Sequence, residues 1–395
     1  MKPDFSHLLA SRTKLMASSV IREILKQASR PGMISLAGGI PAPETFPMDI
    51  LEEVFLKIIK RWGSSAFQYD LTEGFVPLRE AAVPYLSRYS VEASTEEIFV
   101  SSGSQGLLDS LGKILISPGD IVAVESPTYL GAIQAFNPYG PRYVEMESDE
   151  NGAIPESLEE VLIKNSPKFV YMVPTFQNPT GRTIPIERRK AIADIVIRYN
   201  ALLIEDDPYA ALRYQGKDVP SIKSMAPDHV LYATTLSKVF APGLRVGLFV
   251  PPSGELGNWL VKAKQGTDLH TSTLSQAMAA VYLEGGYLEK RLPLICNFYH
   301  PRLNALLEAM DEYFPPDWNW SRPEGGMFLW AEGPDRTNIF ELYKKALSCN
   351  VAFVPGEYFY ANSENSRQAM RLNFTNADPD TLQHAVKTLA SLIVN

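Results

Sequence analysis

The chain has 395 residues, room for two or three lobes at about 100–200 residues per domain. Its 45% hydrophobic and 21% charged content excludes disorder, collagen-like repeats and coiled coil as overall descriptions. Lys and Arg number 37 against 45 Asp and Glu, a formal charge of −8 with no long basic run, so the electrostatic footprint of a nucleic-acid binder is absent and small-molecule work is expected.

Taken in chain order, Met48 to Trp62 carries Ile50, Leu51, Val54, Phe55, Ile58, Ile59 and Trp62 at three- and four-residue spacing, which predicts an amphipathic helix. Short apolar runs follow at Glu97–Val100, Ile121–Glu125, Phe169–Val173, Leu202–Glu205, Val230–Ala233 and Val246–Val250, mostly separated by helical patterns. That alternation predicts a mainly parallel sheet with helices on both faces. From about Leu288 to Met310 a long helical pattern contains Pro293 and Pro301, which are expected to bend or divide it. A strand at Gly326–Trp330, a helix near Ile339–Leu347, strands near Val351–Val354 and Arg371–Phe374, and a closing helix from Pro379 suggest a smaller α+β lobe. The expected organisation is an N-terminal segment over residues 1–45, a large domain over 46–285 and a small domain over 286–395. Two cysteines, Cys296 and Cys349, cannot form a disulfide framework, and five scattered histidines give a zinc site little support. No apolar leader core or run of about 18 uncharged apolar residues is present, so a cytoplasmic protein without a membrane partner is expected.

Three segments carry chemistry. Ser101-Ser-Gly-Ser-Gln-Gly106 lies between a predicted strand and a helical segment, where free backbone N–H groups and the helix dipole favour a phosphate; the same residues also read as a plain helix cap. They match neither Gly-x-Gly-x-x-Gly nor Gly-x-x-x-x-Gly-Lys-Ser/Thr, so nicotinamide and P-loop readings lose their support. Thr234 to Arg245 puts hydroxyls, Lys238 and Arg245 together at a strand end, where a partly desolvated lysine is a candidate for Schiff-base chemistry. Ile204-Glu-Asp-Asp-Pro-Tyr209 ends an apolar strand in carboxylates, and Gln177-Asn-Pro-Thr-Gly181 is on its face a turn.

With these motifs in order, from Ile34-Ser-Leu-Ala-Gly-Gly-Ile-Pro41 to Arg371-Leu-Asn-Phe-Thr375, the sequence resembles the fold-type I pyridoxal-phosphate (PLP) enzymes of the class I/II aminotransferases. Within them it is most similar to the 2-aminoadipate and kynurenine aminotransferase branch. The resemblance implies an α/β fold with a mostly parallel seven-stranded sheet between helices and a smaller α+β C-terminal domain. It implies pyridoxal 5'-phosphate as cofactor, held by Lys238 as an internal aldimine, with Lys238 later moving the Cα proton. Ser104, Gln105, Thr235, Ser237 and Arg245 match the phosphate ligands, Arg245 offering a planar charge-assisted fork. Asp206 resembles the aspartate that keeps the pyridine nitrogen protonated, with Asp207 as its neighbouring alternative; the family's three-residue step from that aspartate to its tyrosine, here Tyr209, implies Asp206. A protonated ring is the better electron sink.

Tyr209 and Asn178 match the pair on the phenolic oxygen, and Tyr129 the ring that stacks on the pyridine. Arg371 matches the arginine for the substrate α-carboxylate, although a strand arginine needs no such role. Gly39 matches the glycine near substrate, and Tyr69 the tyrosine that reaches a neighbouring subunit's phosphate, which implies a homodimer with shared sites. In Ser18-Ser-Val-Ile-Arg-Glu-Ile-Leu25, Arg22 occupies the place of an arginine for a distal carboxylate, assisted by Ser19; alone it also reads as the polar face of a helix. The implied activity is transfer of an amino group between an L-amino acid (2-aminoadipate, glutamate, aromatic or branched-chain) and 2-oxoglutarate. The alternatives are another PLP reaction, β-elimination or decarboxylation, because fold and cofactor do not choose the bond broken, or a non-catalytic ligand-sensing module.

Overall fold

A computed structural model describes residues 3–16, 24, 26–28 and 30–394. Its central sheet has seven strands: β1 (Phe99–Ser101), β2 (Ile121–Glu125), β3 (Arg142–Met146), β4 (Phe169–Met172), β5 (Leu203–Asp206), β6 (Val230–Thr235) and β7 (Gly247–Val250). Their spatial order is β1-β7-β6-β5-β4-β2-β3. β7 runs antiparallel to both neighbours and every other pair is parallel.

Successive strand residues face opposite sides, and both sides are buried here. Val122, Val124, Tyr171, Ile204 and Leu231 enter one apolar cluster, whereas Ala123, Val170, Met172, Leu203 and Val230 enter another. Helices therefore cover both faces, which explains why these strands read as continuous apolar runs. The edge strand β3 escaped sequence reading. Its residues are mostly half-buried and include Arg142 and Glu145, so no apolar run marks it.

A second, antiparallel sheet is built from β8 (Asn319–Trp320), β9 (Phe328–Glu332), β10 (Val354–Pro355) and β11 (Ala369–Asn373), in the order β8-β9-β11-β10. The expected strand at Val351–Val354 is two: Val351–Ala352 pairs in parallel with Ile34–Ser35, and Val354 then turns into the second sheet. The expected division of the long helix does not occur, because Tyr287–Tyr313 runs as one helix of 27 residues through both prolines. Pro293 and Pro301 lie on its exposed side, where water can satisfy the carbonyls that lack an N–H partner. Among the described residues no helix is long and apolar enough to cross a membrane.

Candidate active site

The loops leaving the C-terminal ends of the parallel strands converge on one cavity, the usual position for ligands in open α/β sheets. Ten of the eleven residues expected to hold the cofactor line it: Ser104, Gln105, Tyr129, Asn178, Asp206, Tyr209, Thr235, Ser237, Lys238 and Arg245. Val173, Pro208 and Pro242, which sequence reasoning did not single out, complete the wall. Tyr69 is absent from it; its side chain lies 77% exposed, edge-on to His270.

Lys238 closes a short 3-10 turn directly after β6 and donates from Nζ to Gly39 O at 3.1 Å. Burial, helped by the positive charges of Arg245 and Arg371, lowers its ammonium to about 8. About a tenth of the amine is then neutral near pH 7, far more than for an ordinary lysine, and that form is a nucleophile and a proton acceptor.

Asp206 ends β5, and its neighbours Glu205 and Asp207 point to the opposite side by the two-residue strand period. There Glu205 accepts from the N–H groups of Ile222 and Lys223, 4.0 Å from the guanidinium of the fully buried Arg189, and Asp207 accepts from Tyr232 Oη at 3.3 Å. Asp206 instead accepts from Tyr171 Oη at 2.8 Å on Oδ2, and among the described residues its buried Oδ1, like Asp207 Oδ1, has no partner. Burial raises Asp206 to about 7, with the Asp207 charge adding to the shift and the Tyr171 bond opposing it. Tyr171 is a site residue that sequence reasoning missed. It reads as one more apolar strand position, and only the β4–β5 register brings it under Asp206.

The helix Gly103–Leu115 starts at the cavity floor, with Ser104 Oγ buried and unpartnered among the described residues. Gly103 has φ +73°, and a side chain there would strike the Arg245 guanidinium; a Cβ on Gly247 would lie 2.9 Å from Gly103 C and 3.0 Å from Ser104 N. Arg245 itself is left-handed at φ +55°, a costly conformation for a residue with a Cβ and one that surrounding structure must impose. Thr235 Oγ1 and Ser237 Oγ lie 2.9 Å apart at the same end. Free helix N–H groups, three hydroxyls and one guanidinium make a receptor for a phosphate-sized anion.

Asn178 lies on the loop after β4, which the fully buried Arg189 holds through Pro174 O, Thr175 Oγ1 and Ile184 O at 2.8–3.0 Å. Gln177 donates to Pro127 O at 2.8 Å, tying this loop to the one that carries Tyr129. Gln105 donates to Gly131 O at 2.8 Å, and Gly131 has no side chain because the Tyr129 ring occupies that space. Asn178 Nδ2 stands 3.5 Å from Tyr209 Oη.

From the second sheet, Arg371 in β11 donates from Nη1 to Asn178 Oδ1 at 2.8 Å and from Nη2 to Ala37 O at 2.7 Å, and among the described residues its buried Nε has no partner. Burial lowers it to about 10, still charged at neutral pH. Gly39 packs its backbone over the Phe328 ring, whose Cζ would lie 3.0 Å from a Cβ there. Arg22 and Ser19 lie outside the described residues.

Comparison with known proteins shows the family. The family model for aminotransferase class I and II matches residues 32–389. The chain is 41% identical to aromatic-amino-acid aminotransferase 1 of Thermococcus litoralis, over 99% of this chain and 95% of that one. The crystal structure of Pyrococcus horikoshii kynurenine aminotransferase in complex with PMP superposes with a TM-score of 0.94 at 42% identity, covering 99% of this chain and 98% of that one. The α-aminoadipate aminotransferase LysN from Thermus thermophilus, complexed with N-(5'-phosphopyridoxyl)-L-leucine, gives 0.90 at 36% identity over 99% and 98% of the two chains. Matched by the family model over residues 32–389 and by relatives over nearly the whole chain, this protein belongs to the class I and II aminotransferases and is a PLP-dependent transaminase.

Proposed function

We propose that this cavity takes pyridoxal 5'-phosphate on Lys238, and that the enzyme moves amino groups from dicarboxylic, aromatic and branched-chain L-amino acids to 2-oxoglutarate. The carrying observation is the buried Lys238 amine, lowered to about 8, in one wall with an Asp206 oxygen that has no partner. The fit rests on orphaned atoms. Asp206 Oδ1 lacks a donor, which a pyridinium N–H supplies, and Ser104 Oγ lacks an acceptor, which a phosphate oxygen supplies.

When bound, the cofactor supplies an electron sink for charge developing at the substrate Cα. Asp206 keeps the ring nitrogen protonated, and Tyr171 keeps Asp206 oriented. Ser104, Gln105, Thr235, Ser237 and Arg245 hold the phosphate; Tyr209 and Asn178 serve the phenolic oxygen; Tyr129 covers the ring. Lys238 Nζ removes the Cα proton, and Arg371 fixes the α-carboxylate so that the bond to that proton faces the amine. Gly39, whose carbonyl already holds Lys238 Nζ, lines the substrate side. Arg22 and Ser19 receive a distal carboxylate and withdraw for apolar donors.

The broad donor range is supported by relatives named for aromatic amino acids, kynurenine and α-aminoadipate, one holding a leucine adduct. A homodimer with Tyr69 completing the partner's phosphate site is supported by the exposed side chains of Phe55, Leu56, Ile59, Phe67, Tyr69 and Leu71, more apolar surface than a lone helix face needs.

The test is a donor panel with 2-oxoglutarate. Purified protein loaded with pyridoxal 5'-phosphate is expected to absorb in the visible and to form glutamate from several donors. Lys238→Ala is expected to lose both the borohydride-reducible adduct and turnover, and normal turnover in that variant rejects the assignment. Release of ammonia and pyruvate in place of glutamate would identify elimination. In the same panel Arg22→Ala is expected to cost 2-aminoadipate and glutamate about tenfold to a hundredfold more than leucine, the worth of a desolvated charge-assisted contact.

A further inference from the structure

Glu145 stands one residue before the end of β3, at the outer edge of the central sheet, and its carboxylate reaches into the segment that follows β10. Oε1 accepts from the consecutive backbone N–H groups of Ala361 at 2.7 Å and Asn362 at 3.0 Å; Oε2 accepts from Asn365 Nδ2 and from Ser126 Oγ at 3.3 Å. Adjacent N–H groups turned onto one oxygen form a small anion-binding concavity, and charge-assisted bonds of this kind are about twice as strong as neutral ones. The same segment is fastened again where Thr128 N–H donates to Phe359 O at 2.8 Å.

Phe359 is fully buried, edge-on to Trp330, with its centroid 4.9 Å from the Arg371 guanidinium. Phe328 lies over the same guanidinium at 4.3 Å. Among the described residues Arg371 has no carboxylate partner within ion-pair distance. Its direction is therefore set by two neutral acceptors and two aromatic rings.

We propose that Glu145 is a positioning residue for recognition of the substrate α-carboxylate. By pinning Ala361 and Asn362 it holds the Phe359 ring against Arg371, and by accepting from Ser126 it ties the same point to the loop that carries Tyr129. This rests on the reading of Arg371 as the carboxylate site. Without Glu145 the segment from Phe359 to Asn365 loses its anchor on the sheet edge, two N–H groups lose their acceptor, and Arg371 gains orientations that do not meet substrate. Every amino donor and oxo acceptor shares the α-carboxylate, so the loss is common to all of them. Lys238 itself lies outside this device, its Nζ held by Gly39 O, so the amine keeps its place and the first loss is in carboxylate binding.

The experiment measures KM and kcat of the holoenzyme for 2-aminoadipate, leucine, phenylalanine and 2-oxoglutarate, with Tm alongside. Glu145→Ala is expected to raise KM for all four by about tenfold, the loss of one charge-assisted contact, with kcat falling by a smaller factor than KM rises. Glu145→Gln keeps an oxygen for both N–H groups and is expected to recover most of the loss. A lowered Tm with unchanged KM, or a KM rise confined to one donor, overturns the proposal. Should Glu145→Ala fail to fold, Phe359→Leu removes the ring with Glu145 in place; a uniform KM rise supports the proposal and an unchanged KM overturns it. Arg371→Lys run in parallel separates the two readings. Unchanged KM there rejects the carboxylate site itself, whereas a rise there with none in Glu145→Ala rejects only the positioning role.

Discussion

At the scale of single residues, the site is governed by groups whose charged forms are disfavoured by burial. Lys238 falls to about 8, near the pH at which an amine can exchange a proton, and burial raises Asp206 to about 7. Glu125, at the end of β2, is raised further, to about 8, by burial against the opposing bond from Val173 N–H. An acid with a folded-state value above its ordinary 4.5 favours folding in its protonated form. That contribution is fully present below about 4.5 and is lost as pH rises through about 8. Glu125→Gln keeps the shape and removes the titration, so its Tm is expected to fall less than the wild-type Tm between pH 6 and pH 9. Parallel Tm curves for the two proteins would show that Glu125 does not titrate in that window.

At the scale of elements, the strand-to-helix turns set the geometry, and two glycines show how tightly. Gly247 in β7 is paired with Ser101, and a Cβ on it would press on the Gly103 and Ser104 backbone, which cannot yield as a flexible side chain would. Gly247→Ala is therefore expected to lift the turn that presents Ser104. Affinity for pyridoxal phosphate, followed by absorbance titration, is expected to drop about tenfold or more, with overpacking costing about 1–3 kcal/mol in stability. The turn at Gly103 was visible in sequence as small residues after a strand, yet the partner that forbids a side chain at Gly247 comes from a strand about 145 residues away. The same limit applies to Tyr171, whose role depends on register, and to the helix Tyr287–Tyr313, whose prolines are harmless only because they face outward.

At the scale of the whole molecule, the helix Leu51–Trp62 buries Val54 and Ile58 in its own chain but leaves Phe55, Leu56 and Ile59 exposed. Its amphipathic pattern was read correctly as a helix, yet part of that apolar face is turned outward, as a dimer interface requires. Leu56→Asp is expected to shift sedimentation toward monomer at micromolar concentration. Under the shared-site proposal, cofactor retention is expected to weaken with it. A monodisperse monomer in the unmutated protein would remove the shared-site reading.

By itself the sequence determined the strands of the central sheet that lie buried on both faces, the small-residue turn after β1, the lysine after β6 and the carboxylates at the end of β5, because each is a local pattern of apolar runs, small residues and charge. The tertiary structure decided which neighbours meet. It turned Asp206 toward the cavity and Asp207 toward Tyr232, set Tyr171 beneath the first, carried Arg371 from another sheet to Asn178, and joined Glu145 to Ala361 across 216 positions. Those contacts depend on strand register and on the packing of segments far apart in the chain, which residue order alone does not encode.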